Sequence, residues 1–64
     1  MVDFHDQWQS RTVRVRNGPF ANWVGMVGGT FNPRVQVSFP MPNGCIERLW
    51  MFVEDLEILE GVKV

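Results

Sequence analysis

The sequence predicts an all-β fold, a small five-stranded barrel, and three observations carry that expectation. Residues 12–16 (TVRVR) and 34–39 (RVQVSF) alternate apolar and polar side chains at the two-residue period of a strand. Gly, Pro and Asn punctuate the chain between short apolar stretches. No long segment carries helical periodicity, and a sheet this small hides its edges best by bending into a closed or half-closed barrel.

The elements follow in order. Residues 1–10 are polar apart from Phe4 and Trp8, whose spacing lets one helical turn put both on one face. They read as a flexible lead-in whose aromatics dock loosely, or else as an anchor for a partner. His5 has no companion at ligand spacing and reads as solvated. In the first strand Val13 and Val15 face inward, and Thr12, Arg14 and Arg16 outward. Residues 17–23 form a Gly-Pro-aromatic loop. Residues 24–28 (VGMVG) form the second strand, where Gly25 marks a bulge or a close backbone approach. Gly28, Gly29, Asn32 and Pro33 bound the next turn.

The third strand points Val35, Val37 and Phe39 inward, and Arg34, Gln36 and Ser38 outward. Residues 40–44 (PMPNG) must turn, because two prolines cannot donate to a ladder and Asn43-Gly44 suits positive φ. Residues 45–52 (CIERLWMF) form the fourth strand. Its last four residues are all apolar, which predicts a bulge or burial on both faces. Residues 53–55 read as a single tight turn, for which a 3₁₀ geometry is one option. Residues 56–59 (LEIL) close the sheet with Leu56 and Ile58 inward. The division is a lead-in at 1–10, a barrel at 11–60 and a tail at 61–64.

With 64 residues the chain holds one domain, and a domain of this size buries only about 60% of its unfolded surface. Three Trp, five Phe and 45% hydrophobic residues still suffice for one core. The net charge of −1 argues against a general polyanion binder. Charge is uneven, however. Arg11, Arg14 and Arg16 cluster early, and Glu54, Asp55, Glu57 and Glu60 cluster late, where they read as a solvated, aggregation-resistant edge. The single cysteine, Cys45, excludes an internal disulfide and reads as a quiet, half-buried residue in a cytoplasmic protein. No apolar run is long enough to span a bilayer, and the N-terminal residues lack the basic start of a signal peptide.

Residues 13–27 (VRVRNGPFANWVGMV) resemble the KOW motif, most closely that of the C-terminal domain of NusG-type transcription elongation factors. The matching positions are Val13, Val15, Gly18, Pro19, Phe20, Ala21, Asn22, Trp23, Gly25 and Val27. The resemblance covers about fifteen residues; the rest of the chain agrees in pattern rather than in letters, and the polymerase-binding domain of that family has no counterpart here. It implies an SH3-like (KOW/Tudor-like) barrel and a non-enzymatic module. The module would bind a ribosomal protein, a termination factor or another transcription component. The motif also has its own physical sense. Gly18 admits a backbone closed to other residues, Pro19 stiffens the turn, and Phe20 can plug the core beneath it. The short loop has little room for two large rings, so Trp23 is expected to stay half exposed as an interface anchor.

The expected partner surface is therefore Arg14, Arg16, Phe20, Ala21, Asn22 and Trp23. Arg14 and Arg16 could equally be a solvated strand face. An alternative is RNA binding, as in KOW-containing ribosomal proteins, with Arg11, Arg14, Arg16 and Arg34 on phosphates and Trp23 stacked on a base. A third reading, motivated by Cys45 and the apolar 49–52 run, is a self-associating structural barrel, although a monomer is the default expectation. Catalysis has no footing: no nucleophile–base pairing, metal-ligand spacing or phosphate-binding glycine loop occurs, so neither cofactor nor metal is expected.

Overall fold

The alternating valines become one buried stripe. A computed structural model describes residues 3–59 of the chain. Val13 and Val15 of β1 (Thr12–Val15) are buried, as are Val35, Val37 and Phe39 of β3 (Arg34–Pro40). Val27 from β2 (Val24–Phe31) and Leu56 from β5 (Leu56–Ile58) join them. Half-buried Leu49 and Met51 of β4 (Ile46–Phe52) pack against this core. The result is a mostly β fold: one antiparallel sheet of five strands, in the order β4-β3-β2-β1-β5, with one short helix.

The ladders show where the sheet bends. β1 pairs with the start of β2, from Thr12↔Met26 to Arg14↔Val24, while β3 pairs with β2 from Met26 to Phe31. β5 lies on the other side of β1, with Val15 opposite Leu56. In a flat sheet the outermost strands, β4 and β5, would lie about 19 Å apart, at about 4.8 Å per strand. The chain passes between them from Phe52 to Leu56 through one 3₁₀ turn, Val53–Asp55. Four residue steps reach at most about 14 Å, so the sheet must curl strongly. No ladder joins β4 to β5 among the described residues.

Several expectations are revised. β2 is longer than 24–28, and Gly28 and Gly29 lie within it rather than bounding the turn. The register slips between Val27 and Gly29, so the bulge sits there and Gly25 is instead the close approach. A Cβ on Gly25 would meet the Ser38 carbonyl oxygen and come within 2.8 Å of the Phe39 and Val37 side chains. β4 is neither bulged nor buried on both faces. Its register with β3 runs unbroken, and Trp50 and Phe52 point outward into solvent. Cys45 is exposed rather than half buried, because it precedes β4 at the rim of the turn.

Residues Phe4–Trp8, expected as a lead-in, form α1. Phe4 and Trp8 do share a face, with ring centroids 6.4 Å apart, and Trp8 closes one end of the core. The Ser10 N–H donates to the Val27 carbonyl and the Val27 N–H to the Arg11 carbonyl, tying α1 to β2. His5 lies at the surface with Nδ1 2.7 Å from Thr30 Oγ1. At the 40–44 turn the Gly44 N–H donates to the Met41 carbonyl, the Cys45 N–H donates to Asn43 Oδ1, and the positive φ falls on Gly44 alone. The expected tail at 61–64, and Glu60 of the acidic cluster, lie outside the described residues.

Candidate functional site

The first loop is closed by its own backbone. The Asn22 N–H donates to the Val15 carbonyl at 2.8 Å, and the Val15 N–H donates to the Trp23 carbonyl at 2.9 Å. Within that clamp the Ala21 N–H reaches the Gly18 carbonyl and the Trp23 N–H the Phe20 carbonyl. Gly18 takes φ +92° and Asn22 φ +74°. Asn tolerates this left-handed conformation better than other residues with a side chain. Asn22 is thus a hinge of the clamp as much as part of the loop tip. Asn22→Ala is expected to lower stability by about 1 kcal/mol, whereas Asn22→Gly should cost nothing. Urea unfolding midpoints of the two variants check this.

The clamp decides where the rings go. Phe20 is half buried and packs against the core. Trp23 stands edge-on to Phe20 at 4.8 Å and to the buried Phe39 at 5.4 Å. Such tilted pairs favour a fixed ring orientation. Trp23 remains 36% exposed. Beside it Val24, Pro40, Met41 and Pro42 complete an apolar cleft of about 330 Å³. The first loop therefore meets the 40–44 turn. The β2–β3 turn lies at the far end of β2.

The arginines are dispersed. Arg14 Nη2 pairs with Glu57 Oε1 at 2.6 Å, across the β1–β5 ladder. Both side chains are solvated, so the pair is worth at most about 1 kcal/mol. Arg16 is exposed, and its backbone N–H donates to the Asp55 carbonyl. Arg11 donates from Nε to the Gln7 carbonyl at 3.1 Å. Arg34 is at the opposite end of the sheet from Trp23, with its guanidinium 5.6 Å from the Phe52 ring centroid. The structure thus groups Phe20, Trp23 and Phe39, and it does not bring the four arginines onto one surface with Trp23.

A second aromatic group, assembled from β2, β3 and β4 and so not contiguous in the sequence, surrounds Arg34. Phe31, Trp50 and Phe52 are all exposed on the outer face. Thr30, Phe31, Arg34 and Trp50 line a shallow groove of about 450 Å³. Its sequence signal was the parity of β4. Trp50 and Phe52 fall in step with Arg48, the outward set, while Leu49 and Met51 fall in step with the core-facing set.

Among the described residues no three His, Cys, Asp or Glu side chains converge as a metal site would require. Among them, too, no helix is long and apolar enough to cross a membrane. Fold and surface together define a small antiparallel β domain that presents aromatic rings and guanidinium groups. Neither a protein-family model nor a curated protein matches the chain.

Proposed function

We propose that this protein is a non-enzymatic protein-binding module, built as a half-closed SH3-like barrel of the KOW type. Its expected setting is transcription elongation, termination or the coupling of transcription to translation, as the resemblance at residues 13–27 implies. The barrel reading is supported by the curl of the sheet and by the stagger of β2, whose residues 24–26 pair with β1 while residues 26–31 pair with β3, with a register slip between Val27 and Gly29.

The observation that carries the binding reading is the setting of Trp23. Its ring is oriented by Phe20 and Phe39, yet a third of its surface remains open beside the Pro40–Met41–Pro42 wall. An aromatic ring held rigid before binding loses little entropy on complex formation, which is the character of an interface anchor. An apolar side chain of a protein partner fits this cleft.

Trp23→Ala should weaken partner binding at least tenfold. It should also lower stability by about 1–3 kcal/mol, through the lost Phe20 and Phe39 contacts, without unfolding the domain. The test is affinity capture from lysate with wild type, Trp23→Ala and the distant control Phe31→Ala, alongside circular dichroism. Retention of a transcription or ribosome component by wild type and Phe31→Ala, but not by Trp23→Ala, supports the reading. Equal retention by all three, or unfolding of Trp23→Ala, removes it.

A further inference from the structure

Among the described residues β4 is an edge strand, guarded only by the charges of Glu47 and Arg48 near its start. Soluble proteins blunt such edges with proline, bulges, short length or inward-pointing charge. β4 runs seven residues without proline, and its ladder to β3 is unbroken from Ile46 to Phe52. Its last four residues, Leu49, Trp50, Met51 and Phe52, are apolar on both faces, and Trp50 is 53% exposed.

The direction of its free backbone groups can be read. Alternate residues of a strand aim their N–H and C=O groups to opposite sides. Just before β4 the Met41 N–H donates to the Cys45 carbonyl, and just after it the Val53 N–H donates to the Pro33 carbonyl. Odd-numbered residues therefore bond to β3, through the pairs Phe39↔Glu47, Val37↔Leu49 and Val35↔Met51. Ile46, Arg48, Trp50 and Phe52 aim theirs at the open side. The side chains of these same four residues stand exposed on the outer face.

We propose that β4 pairs with the same strand of a second copy, antiparallel about a two-fold axis at Leu49. This register gives every outward N–H and C=O of β4 a partner. On the outer face Ile46 meets the partner's Phe52, an apolar pair, and Arg48 meets the partner's Trp50, a cation over an aromatic ring. The same chemistry already occurs within one chain, where Arg34 lies over Phe52. On the inner face Leu49 meets its own copy, and Glu47 meets the partner's Met51. No like charges face each other. Sliding the register by two residues one way sets Arg48 against the partner's Arg48, which is repulsive. Sliding it the other way leaves Ile46 outside the ladder. Odd shifts set outward backbone groups against inward ones. The strand is thus complementary to itself in one register, as an isologous interface requires.

The experiment is sedimentation equilibrium of the full chain across a concentration series, with two further variants. Wild type should show twice the chain mass and dissociate on dilution. Trp50→Lys puts an ammonium opposite the partner's Arg48 at both symmetric positions, and it should raise the dissociation constant at least tenfold with an unchanged circular dichroism spectrum. Leu49→Cys, in a Cys45→Ser background, should form a disulfide-linked dimer on mild oxidation. Its position is a non-hydrogen-bonded pair, with Cα atoms about 4.5 Å apart, within disulfide reach. Glu47→Cys in the same background should stay uncross-linked, since its own copy lies four residues along the partner strand, about 13 Å away and beyond disulfide reach. A monomer at every concentration up to several hundred micromolar overturns the proposal. So does a dimer indifferent to Trp50→Lys, or cross-linking of Glu47→Cys as fast as Leu49→Cys. Should Leu49→Cys fail to fold, the Trp50→Lys comparison decides alone.

Discussion

Phe39→Ala is expected to leave most of the protein unfolded at room temperature. Phe39 is the largest wholly buried side chain, 1% exposed, and it lies at the junction of β3 with the first loop. Removing a buried phenylalanine costs about 3–5 kcal/mol, the lost transfer energy plus the cavity left behind. A domain this small holds a total stability near the bottom of the usual range, about 5 kcal/mol. The two figures are comparable, so loss of the folded signal by circular dichroism is the predicted readout. Phe39→Leu, which keeps most of the volume, should cost about 1.5 kcal/mol and stay folded. An unchanged urea midpoint for Phe39→Ala would mean that the core is not organised around this ring.

Gly25→Ala is expected to be nearly as damaging, although it adds only a methyl group. That methyl would run into the Ser38 carbonyl oxygen, which belongs to the backbone of β3 and cannot rotate away. The Phe39 and Val37 side chains, each 2.8 Å from the added carbon, cannot yield without disturbing the centre of the core. Overpacking of this kind costs up to about 3 kcal/mol, and here the backbones of β2 and β3 would have to separate. Gly28→Ala is the matched control. An added carbon there meets nothing within 4 Å, so its midpoint should move little. Urea unfolding of the two variants side by side makes the comparison, and equal midpoints would refute the close-approach reading of Gly25.

The two variants also show how unevenly the fold was legible. Phe39 could be assigned to the core from the alternation of residues 34–39 alone, because period-two patterning reports which face a side chain takes. Gly25 could be flagged only as a bulge or a close approach. Choosing between them needed the position of Ser38, thirteen residues later in the chain. The bulge itself sits at Gly28, where glycine next to glycine reads equally well as a turn. Trp8 was placed on a helical face by its spacing from Phe4, but its burial depends on the Ser10–Val27 and Val27–Arg11 hydrogen bonds, which no local pattern announces.

The candidate sites divide in the same way. The first-loop group was visible because its glycine, proline and aromatics are contiguous. The Phe31–Arg34–Trp50–Phe52 group was not, because its members come from three strands. By itself the sequence determined the number of the strands and their order along the chain, the Asn43-Gly44 turn, the inward set of valines and the separation of Phe20 from Trp23, all governed by local sterics and by two-residue periodicity. Only the tertiary structure decided that Arg34 stands apart from Arg14 and Arg16, that Trp23 rests on Phe39, and that the apolar run in β4 lies on an open edge. Those outcomes depend on which strands become neighbours, and strand order is set by burial summed over the whole sheet rather than by any one segment.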